Sequence, residues 1–186
     1  MKLNWPTLLT LFRVAVLPIA VLFYYLPLTY AHPIAAGWVF IAGLCDFLDG
    51  YLARKWNQMT RFGAFLDPVA DKICIVVGFI VISAEYCSLF ITLCSIVIIC
   101  REVIISALRE WMAELGKQAS LAVKYIGKVK TTMQAVALLV LIWFHPGSPV
   151  WLFYLGCLLL LAAVVLTLWS MAVYIRLSWV EIKQLD

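Results

Sequence analysis

Four aspartates lie between residues 46 and 71, and their spacing would allow them to bind metal ions together. Asp46 and Asp49 are three residues apart, and Asp67 and Asp71 are four apart, so on α-helices each pair shares one face. If two antiparallel helices carry the pairs, the four carboxylates converge. Such a cluster would repel itself and protonate, whereas hard divalent cations bound through oxygen would keep it ionised. We therefore expect Mg²⁺ or Mn²⁺, because zinc would usually recruit histidine or cysteine.

Small and basic residues flank these aspartates and suit a phosphate-bearing ligand. Gly50 and Ala53 lie one helical turn beyond the first pair, where they would leave space beside the metals. Arg54 follows at the water interface and could bind a phosphate through two N–H groups. Gly63 precedes Asp67 by four residues, where the backbone could approach a ligand closely. The alternative for Gly50 and Ala53 is that they only allow close helix packing.

Metal ions bridged by carboxylates favour one type of chemistry. Two such ions stabilise charge on an attacking oxygen and on a leaving phosphate, as cleavage of a pyrophosphate requires. The alternative from another functional class is a transporter of divalent cations or protons that uses the carboxylates as a relay. A transporter should place its acids near the bilayer midplane with an outward path. Here the acids are predicted near one membrane face.

The composition indicates that these residues are carried by membrane-spanning helices. Of the 186 residues, 66% are hydrophobic and only 13% are charged, and the mean hydropathy is +1.03. A water-soluble globule, a disordered chain and a nucleic-acid-binding protein are all excluded, since too little polar or basic surface exists. The chain is predicted to be an all-α, polytopic integral membrane protein that forms a single domain over residues 1–186.

Six apolar stretches are long enough to cross a hydrocarbon core about 30 Å thick. They lie between charged or turn-rich breaks, at about 7–28, 33–53, 67–85, 88–110, 129–145 and 150–176. The connections near 26–33, 85–88 and 145–149 are short and turn-like, so neighbouring helices should be antiparallel. Residues 2–10 form a short N-terminal amphipathic segment.

The distribution of basic residues orients these six helices. The two longer connections are basic, whereas the three short turns contain no lysine or arginine. Basic loops stay in the cytoplasm, and an even number of helices puts both termini on the same side. The aspartates therefore border a polar cavity on the cytoplasmic side. The two longer connections contain Arg54, Lys55, Arg61, Arg109, Lys117, Lys124 and Lys128, and the termini add Lys2 and Lys183.

Written out, residues 46–71 read Asp-x2-Asp-Gly-x2-Ala-Arg-x8-Gly-x3-Asp-x3-Asp. This pattern resembles the defining motif of the CDP-alcohol phosphotransferases, complete at all eight positions. The resemblance implies a multi-pass protein of the bacterial inner membrane with a cytoplasmic active site, and it suggests a homodimer. It also implies that Asp46, Asp49 and Asp67 hold the first of two metals with the CDP pyrophosphate. Asp46, Asp67 and Asp71 would then hold the second metal, and Asp71 would act as general base.

The resemblance also extends to the nucleotide and the acceptor. It implies nucleotide contacts by Thr7, Gly50, Ala53, Arg54 and Gly63, although many family members have asparagine at the first of these positions. The stretches 6–13, 101–111 and 127–132 resemble the bacterial branch whose substrates are CDP-diacylglycerol and glycerol 3-phosphate and whose leaving product is CMP. The same chemistry on serine or inositol phosphate is the alternative.

Recognition of an acceptor phosphate requires cations. Four basic residues lie near the cytoplasmic ends of the fourth and fifth helices. A charge two turns deep, such as that of Arg101, is costly unless a ligand or Glu102 offsets it. For several lysines in this region, the alternative is anchoring to anionic lipid headgroups. The candidates for the acceptor phosphate are Arg101, Arg109, Lys128 and Lys130.

Overall fold

The computed structural model describes residues 5–55, 61–115 and 121–182, and side chains in 8–45, 63, 65–115 and 129–179. Within these ranges every regular element is an α-helix, and each helix overlaps one of the six predicted stretches. The all-α prediction is confirmed. The helices are α1 (Trp5–Tyr24), α2 (Ala31–Lys55), α3 (Arg61–Tyr86), α4 (Leu89–Glu114), α5 (Leu121–Trp143) and α6 (Val150–Ile182).

The three short connections lie where the sequence predicts them. Only Cys87 and Ser88 separate α3 from α4. Cys87 has a φ of 44°, which lies in the left-handed region and helps the chain reverse within two residues. Pro149 directly precedes α6, where its missing N–H costs nothing. Across each of these tight turns the two helices pack against each other, α1 with α2, α3 with α4, and α5 with α6.

Several helices are longer than the apolar stretches that predicted them. The α3 helix begins at Arg61 rather than near 67, and α5 begins at Leu121 rather than near 129. Hydropathy marks only the apolar length, whereas backbone hydrogen bonding continues into the polar flanks. For the same reason the predicted N-terminal segment is, from Trp5 onward, the first part of α1. Residues 1–4 lie outside the described part of the chain.

The α3 helix packs against α1, α4 and α5. The α6 helix packs against α4 and α5, and α2 packs against α1 and α5. The core contains fully buried apolar side chains from four helices, namely Phe79, Ile82, Ile91, Ile98, Leu141 and Leu160. Because α2 and α3 each pack on α1 and α5, these four helices surround a common space.

The outer surface of the bundle is strongly apolar. Large side chains of α6 are mostly exposed, including Trp151 at 63%, Leu158 at 63% and Trp169 at 66%. Soluble proteins rarely expose apolar patches of this extent. Among the described helices, Leu89–Glu114 and Val150–Trp179 are long and apolar enough to cross a membrane. The remaining apolar helical stretches are shorter, and the features together are those of a membrane protein.

Gly156 allows α6 to approach α5 closely. A Cβ atom at this position would lie 2.6 Å from Leu141 Cδ2 and 2.9 Å from its Cγ, which is too close. At Gly37 in α2, no atom would lie within 4 Å of an added Cβ. The two glycines therefore offer a matched pair of helical positions.

We expect Gly156→Ala to lower the stability of the bundle. Overpacking of a tight core costs about 1–3 kcal/mol, which exceeds the gain of about 1 kcal/mol in helix propensity. Gly37→Ala should be neutral or slightly stabilising, because only the propensity term applies. Thermal unfolding of both variants in detergent checks this, and an equal or higher unfolding temperature for Gly156→Ala would contradict the close α5–α6 approach.

Candidate active site

A cavity of about 480 Å³ lies between α1, α2, α3 and α5. Most of its lining is apolar, from residues such as Leu17, Val39 and Leu138. The lining residues Arg13, Asp71, Thr131 and Thr132 are polar and lie toward the end of the bundle where α2 ends and α3 begins, whereas Tyr24 lines the opposite end. The cavity thus combines a polar end at the level of the α3 carboxylates with a long apolar part between the helices.

Two side chains of α1 contact the aspartates of α3. Thr10 Oγ1 donates a hydrogen bond to Asp67 Oδ1 at 2.7 Å. Arg13 Nη1 donates to Asp71 Oδ1 at 2.5 Å, which is also an ion pair. The Arg13 side chain is 2% exposed and the Asp71 side chain 54% exposed. The cation is therefore enclosed by the bundle, while the carboxylate remains accessible from the cavity.

The donor chemistry of this region fits a hard divalent cation. Asp67 and Asp71 contribute only oxygen atoms and lie one helical turn apart on α3. Carboxylate oxygens are the ligands that Mg²⁺ and Mn²⁺ prefer, and both cations are bound by few protein groups. Among the residues whose side chains are described, no group of three potential ligands assembles.

Several predicted site residues lie outside the residues whose side chains are described. The backbones of α1 and α2 are helical through the relevant positions, as the sequence predicts. The residues concerned are Thr7, Asp46, Asp49, Gly50, Ala53, Arg54 and Lys128. Gly63 is described and is buried in the first turn of α3.

The predicted acceptor cations Arg101 and Lys130 lie in the interior of the bundle, where they share one carboxylate. Arg101 is 5% exposed and Lys130 is 1% exposed. Both form ion pairs with Glu102, Arg101 Nη1 at 3.3 Å. Arg101 Nη2 also donates to Ser170 Oγ at 2.6 Å. Two cations with one carboxylate leave a net positive charge between α4, α5 and α6.

Arg109 adds a third cation to this side of the bundle. It is exposed on α4, and its guanidinium carbon lies 5.6 Å from the centroid of the Tyr174 ring on α6. This geometry is that of a cation–π contact, which holds the side chain without neutralising it. The Arg109 side chain is exposed, in contrast to the buried side chains of Arg101 and Lys130.

Comparison with known proteins identifies the family of this chain. Residues 3–171 match the family described as CDP-alcohol phosphatidyltransferase. The chain belongs to this family. It is therefore an enzyme of the phosphatidyltransferase class, and the motif-based prediction is confirmed.

Relatives within the family cover nearly the whole chain. Proteins of Escherichia coli (strain K12) and Shigella flexneri serotype 5b (strain 8401) are each 54% identical to it over 176 residues. The match covers 94% of this chain and 94% of each relative. Both are named CDP-diacylglycerol–glycerol-3-phosphate 3-phosphatidyltransferase.

Sequence reasoning placed no functional role on Thr10, Arg13 or Ser170, and the structure puts all three in contact with predicted site residues. For Arg13 a signal existed, since an arginine inside an apolar helix needs a partner. For Thr10 and Ser170 no signal existed, because buried hydroxyls are common within membrane helices. Their partners depend on which helices meet.

We expect Glu102→Gln to destabilise this phosphatidyltransferase, because it leaves the buried Lys130 ammonium without its carboxylate. Removal of one partner from a buried ion pair costs on the order of 3 kcal/mol. A further Lys130→Met change should restore part of the loss. Thermal unfolding of the single and double variants measures this coupling.

Glu110→Gln on the same helix is the matched control, since Glu110 is exposed. It should leave the unfolding temperature close to that of the wild type. Equal effects of Glu102→Gln and Glu110→Gln would contradict a buried ion-pair network.

Proposed function

We propose that this enzyme transfers the phosphatidyl group of CDP-diacylglycerol to sn-glycerol 3-phosphate and releases CMP. The relatives that are 54% identical are named for this reaction. The observation in the structure that carries the proposal is the position of Asp71, an accessible carboxylate at the polar end of an apolar cavity. A substrate with a charged headgroup and apolar chains needs both environments side by side.

Two divalent cations, Mg²⁺ or Mn²⁺, complete the proposed site. Asp46, Asp49 and Asp67 would hold the first, and Asp46, Asp67 and Asp71 the second. When bound, the cations neutralise charge on the pyrophosphate and on the attacking oxygen. Two observations support this. The described candidate ligands, Asp67 and Asp71, offer only oxygen atoms, and the family match over residues 3–171 includes the whole motif.

Asp71 is proposed to accept the proton of the attacking glycerol hydroxyl. The hydroxyl oxygen forms a bond to the β-phosphorus, and the bond from that phosphorus to the pyrophosphate bridging oxygen breaks. The electron pair leaves with CMP, and phosphatidylglycerophosphate remains in the membrane. A base must lie within hydrogen-bond reach of the proton it takes, and the 54% exposure of Asp71 permits such an approach.

The nucleotide is proposed to contact the ends of α1, α2 and α3 on the cytoplasmic side. Small residues let the backbone approach the ligand, and the arginine can bind phosphate through two N–H groups. At the first position, a threonine hydroxyl stands where many family members have an amide. The proposed contacts are Thr7, Gly50, Ala53, Arg54 and Gly63.

The acceptor phosphate is proposed to bind among Arg101, Arg109, Lys128 and Lys130. The excess of positive charge around Glu102 supports this, and so does the exposed guanidinium of Arg109. Serine as acceptor carries no phosphate and would not need such a surplus. Inositol phosphate would need it, and against this acceptor the argument rests on the names of the relatives.

The membrane arrangement is proposed to follow the charge distribution. Six helices cross the bacterial inner membrane, residues 1–186 form one domain, and both termini and the polar cavity face the cytoplasm. The basic connections on one side, and the turns without lysine or arginine on the other, support this orientation. A homodimer is proposed from the family resemblance.

We expect Asp71→Asn to lower turnover about 10²- to 10⁴-fold, the range that one general base contributes. Binding of CDP-diacylglycerol should persist, because the variant removes only one carboxylate. The assay uses labelled glycerol 3-phosphate and CDP-diacylglycerol in detergent. EDTA should abolish product formation by the wild type, and added Mg²⁺ or Mn²⁺ should restore it.

Asp186→Asn is the matched control, since Asp186 is the one aspartate of the sequence outside the motif. Its turnover should equal that of the wild type. Undiminished turnover of Asp71→Asn would overturn the base assignment, and full activity in EDTA would overturn the metal site.

The orientation is open to a test with cysteines. Cys87 lies exposed in the α3–α4 turn, which is proposed to face outward. A variant that keeps only this cysteine should react with a membrane-impermeant maleimide in intact spheroplasts. A cysteine-free variant with Lys117→Cys should react only after permeabilisation, and the reverse pattern would invert the topology.

A further inference from the structure

Thr10 and Arg13 are almost fully buried, and each donates a hydrogen bond to one of the proposed metal-binding carboxylates. Thr10 is 1% exposed and Arg13 is 2% exposed. Their hydrogen bonds to Asp67 and Asp71 measure 2.7 Å and 2.5 Å. Arg13 also lines the cavity, but at 2% exposure it offers a substrate little surface, and its guanidinium is bonded to Asp71. The main contact of both side chains with the site is therefore through the carboxylates.

The spacing of the four residues matches one helix face to another. Thr10 and Arg13 are three residues apart on α1, and Asp67 and Asp71 are four apart on α3. Each pair therefore presents two side chains about one turn apart along the α1–α3 contact. With one oxygen of each carboxylate bound by α1, rotation of both carboxylate groups is restricted. Ligands oriented in this way bind metal better than ligands that must be ordered on binding.

We propose that Thr10 and Arg13 are positioning residues, which hold the carboxylates of Asp67 and Asp71 in the orientation that binds divalent cations. This inference rests on the proposed metal site. It assigns to α1 a role in the cation affinity of the folded protein, in addition to its packing against α3.

A purely structural role would give a different result. Hydrogen bonds that only join two helices affect the free energy of unfolding, but they leave the cation affinity of the folded protein unchanged. Thr167 provides a matched comparison, because it is 0% exposed and joins α6 to α5. Its hydroxyl oxygen accepts a hydrogen bond from Gln134 Nε2 at 3.0 Å. Both threonines are buried and hydrogen-bond a side chain of another helix, but only Thr10 bonds a carboxylate of the site.

The experiment compares four variants of the full chain, all of which preserve charge. Thr10→Val removes the hydroxyl at nearly constant volume, and Thr10→Ser keeps it. Arg13→Lys keeps the positive charge but loses the planar guanidinium that fixes hydrogen-bond direction. Thr167→Val is the control for the loss of a buried inter-helix hydroxyl.

Binding of Mn²⁺ alone is measured on the purified protein in detergent, from the electron paramagnetic resonance signal of free Mn²⁺. Thermal unfolding is recorded for each variant. In turnover assays, the Mn²⁺ concentration for half-maximal rate is compared with the KM for CDP-diacylglycerol.

We expect Thr10→Val and Arg13→Lys to weaken Mn²⁺ binding about 10- to 100-fold, the range found when groups that orient metal ligands are removed. Thr10→Ser should restore affinity close to that of the wild type. Thr167→Val should lower the unfolding temperature and leave Mn²⁺ affinity unchanged. Saturating Mn²⁺ should recover much of the turnover lost by Thr10→Val.

Wild-type Mn²⁺ affinity in Thr10→Val and Arg13→Lys would overturn the inference and leave the proposed function intact. Equal weakening by Thr10→Val and Thr167→Val would also overturn it, because the effect would then be one of general packing. Absence of Mn²⁺ binding by the wild type would instead refute the proposed metal site. If Arg13→Lys does not fold, the Thr10→Val and Thr10→Ser pair decides the question.

Discussion

The cost of charge inside an apolar bundle is the constraint on which this structure depends. Several ionisable side chains lie on helices whose surroundings are apolar, and an isolated charge there is expensive. Two of the buried cations in the described part of the chain pair with an acid from another helix, Arg13 with Asp71 and Lys130 with Glu102. Arg101 pairs with Glu102 of its own helix. Ion pairs between helices lower this cost, and they also fix how the helices pack, because the two partners must lie within contact distance.

This constraint links α1 to the proposed metal site. The aspartate motif lies on α2 and α3, yet the described contacts of its α3 half come from Thr10 and Arg13 of α1. The orientation of both carboxylates therefore depends on how α1 packs against α3, since a shift of α1 along α3 would move both contacts. The apolar cavity between the same helices lies directly against this arrangement, which suits a substrate that is charged at one end and apolar at the other.

The second buried group has a different balance of charge. Arg101 and Lys130 share Glu102, and Ser170 of α6 satisfies a further guanidinium N–H. One carboxylate does not neutralise two cations, and Arg109 adds to the surplus. A region of net positive charge between α4, α5 and α6 fits the anionic acceptor that is proposed for this enzyme. Glu102 also offsets part of the free-energy cost of burying the charges of Arg101 and Lys130.

The sequence alone predicted the six helices of the described residues and the family, and it fixed the spacing of the motif, because each depends on local pattern. Apolar length defines helices, and the one-turn spacing of Asp67 and Asp71 puts them on one face wherever that helix lies. Helix ends were less well predicted, since hydrogen bonding continues past the apolar core, as at Arg61 and Leu121. Only the tertiary structure decided that Thr10 and Arg13 hold the α3 carboxylates and that Glu102 lies between two cations. Those partners are far apart in sequence, and their contacts exist only because particular helix faces pack together.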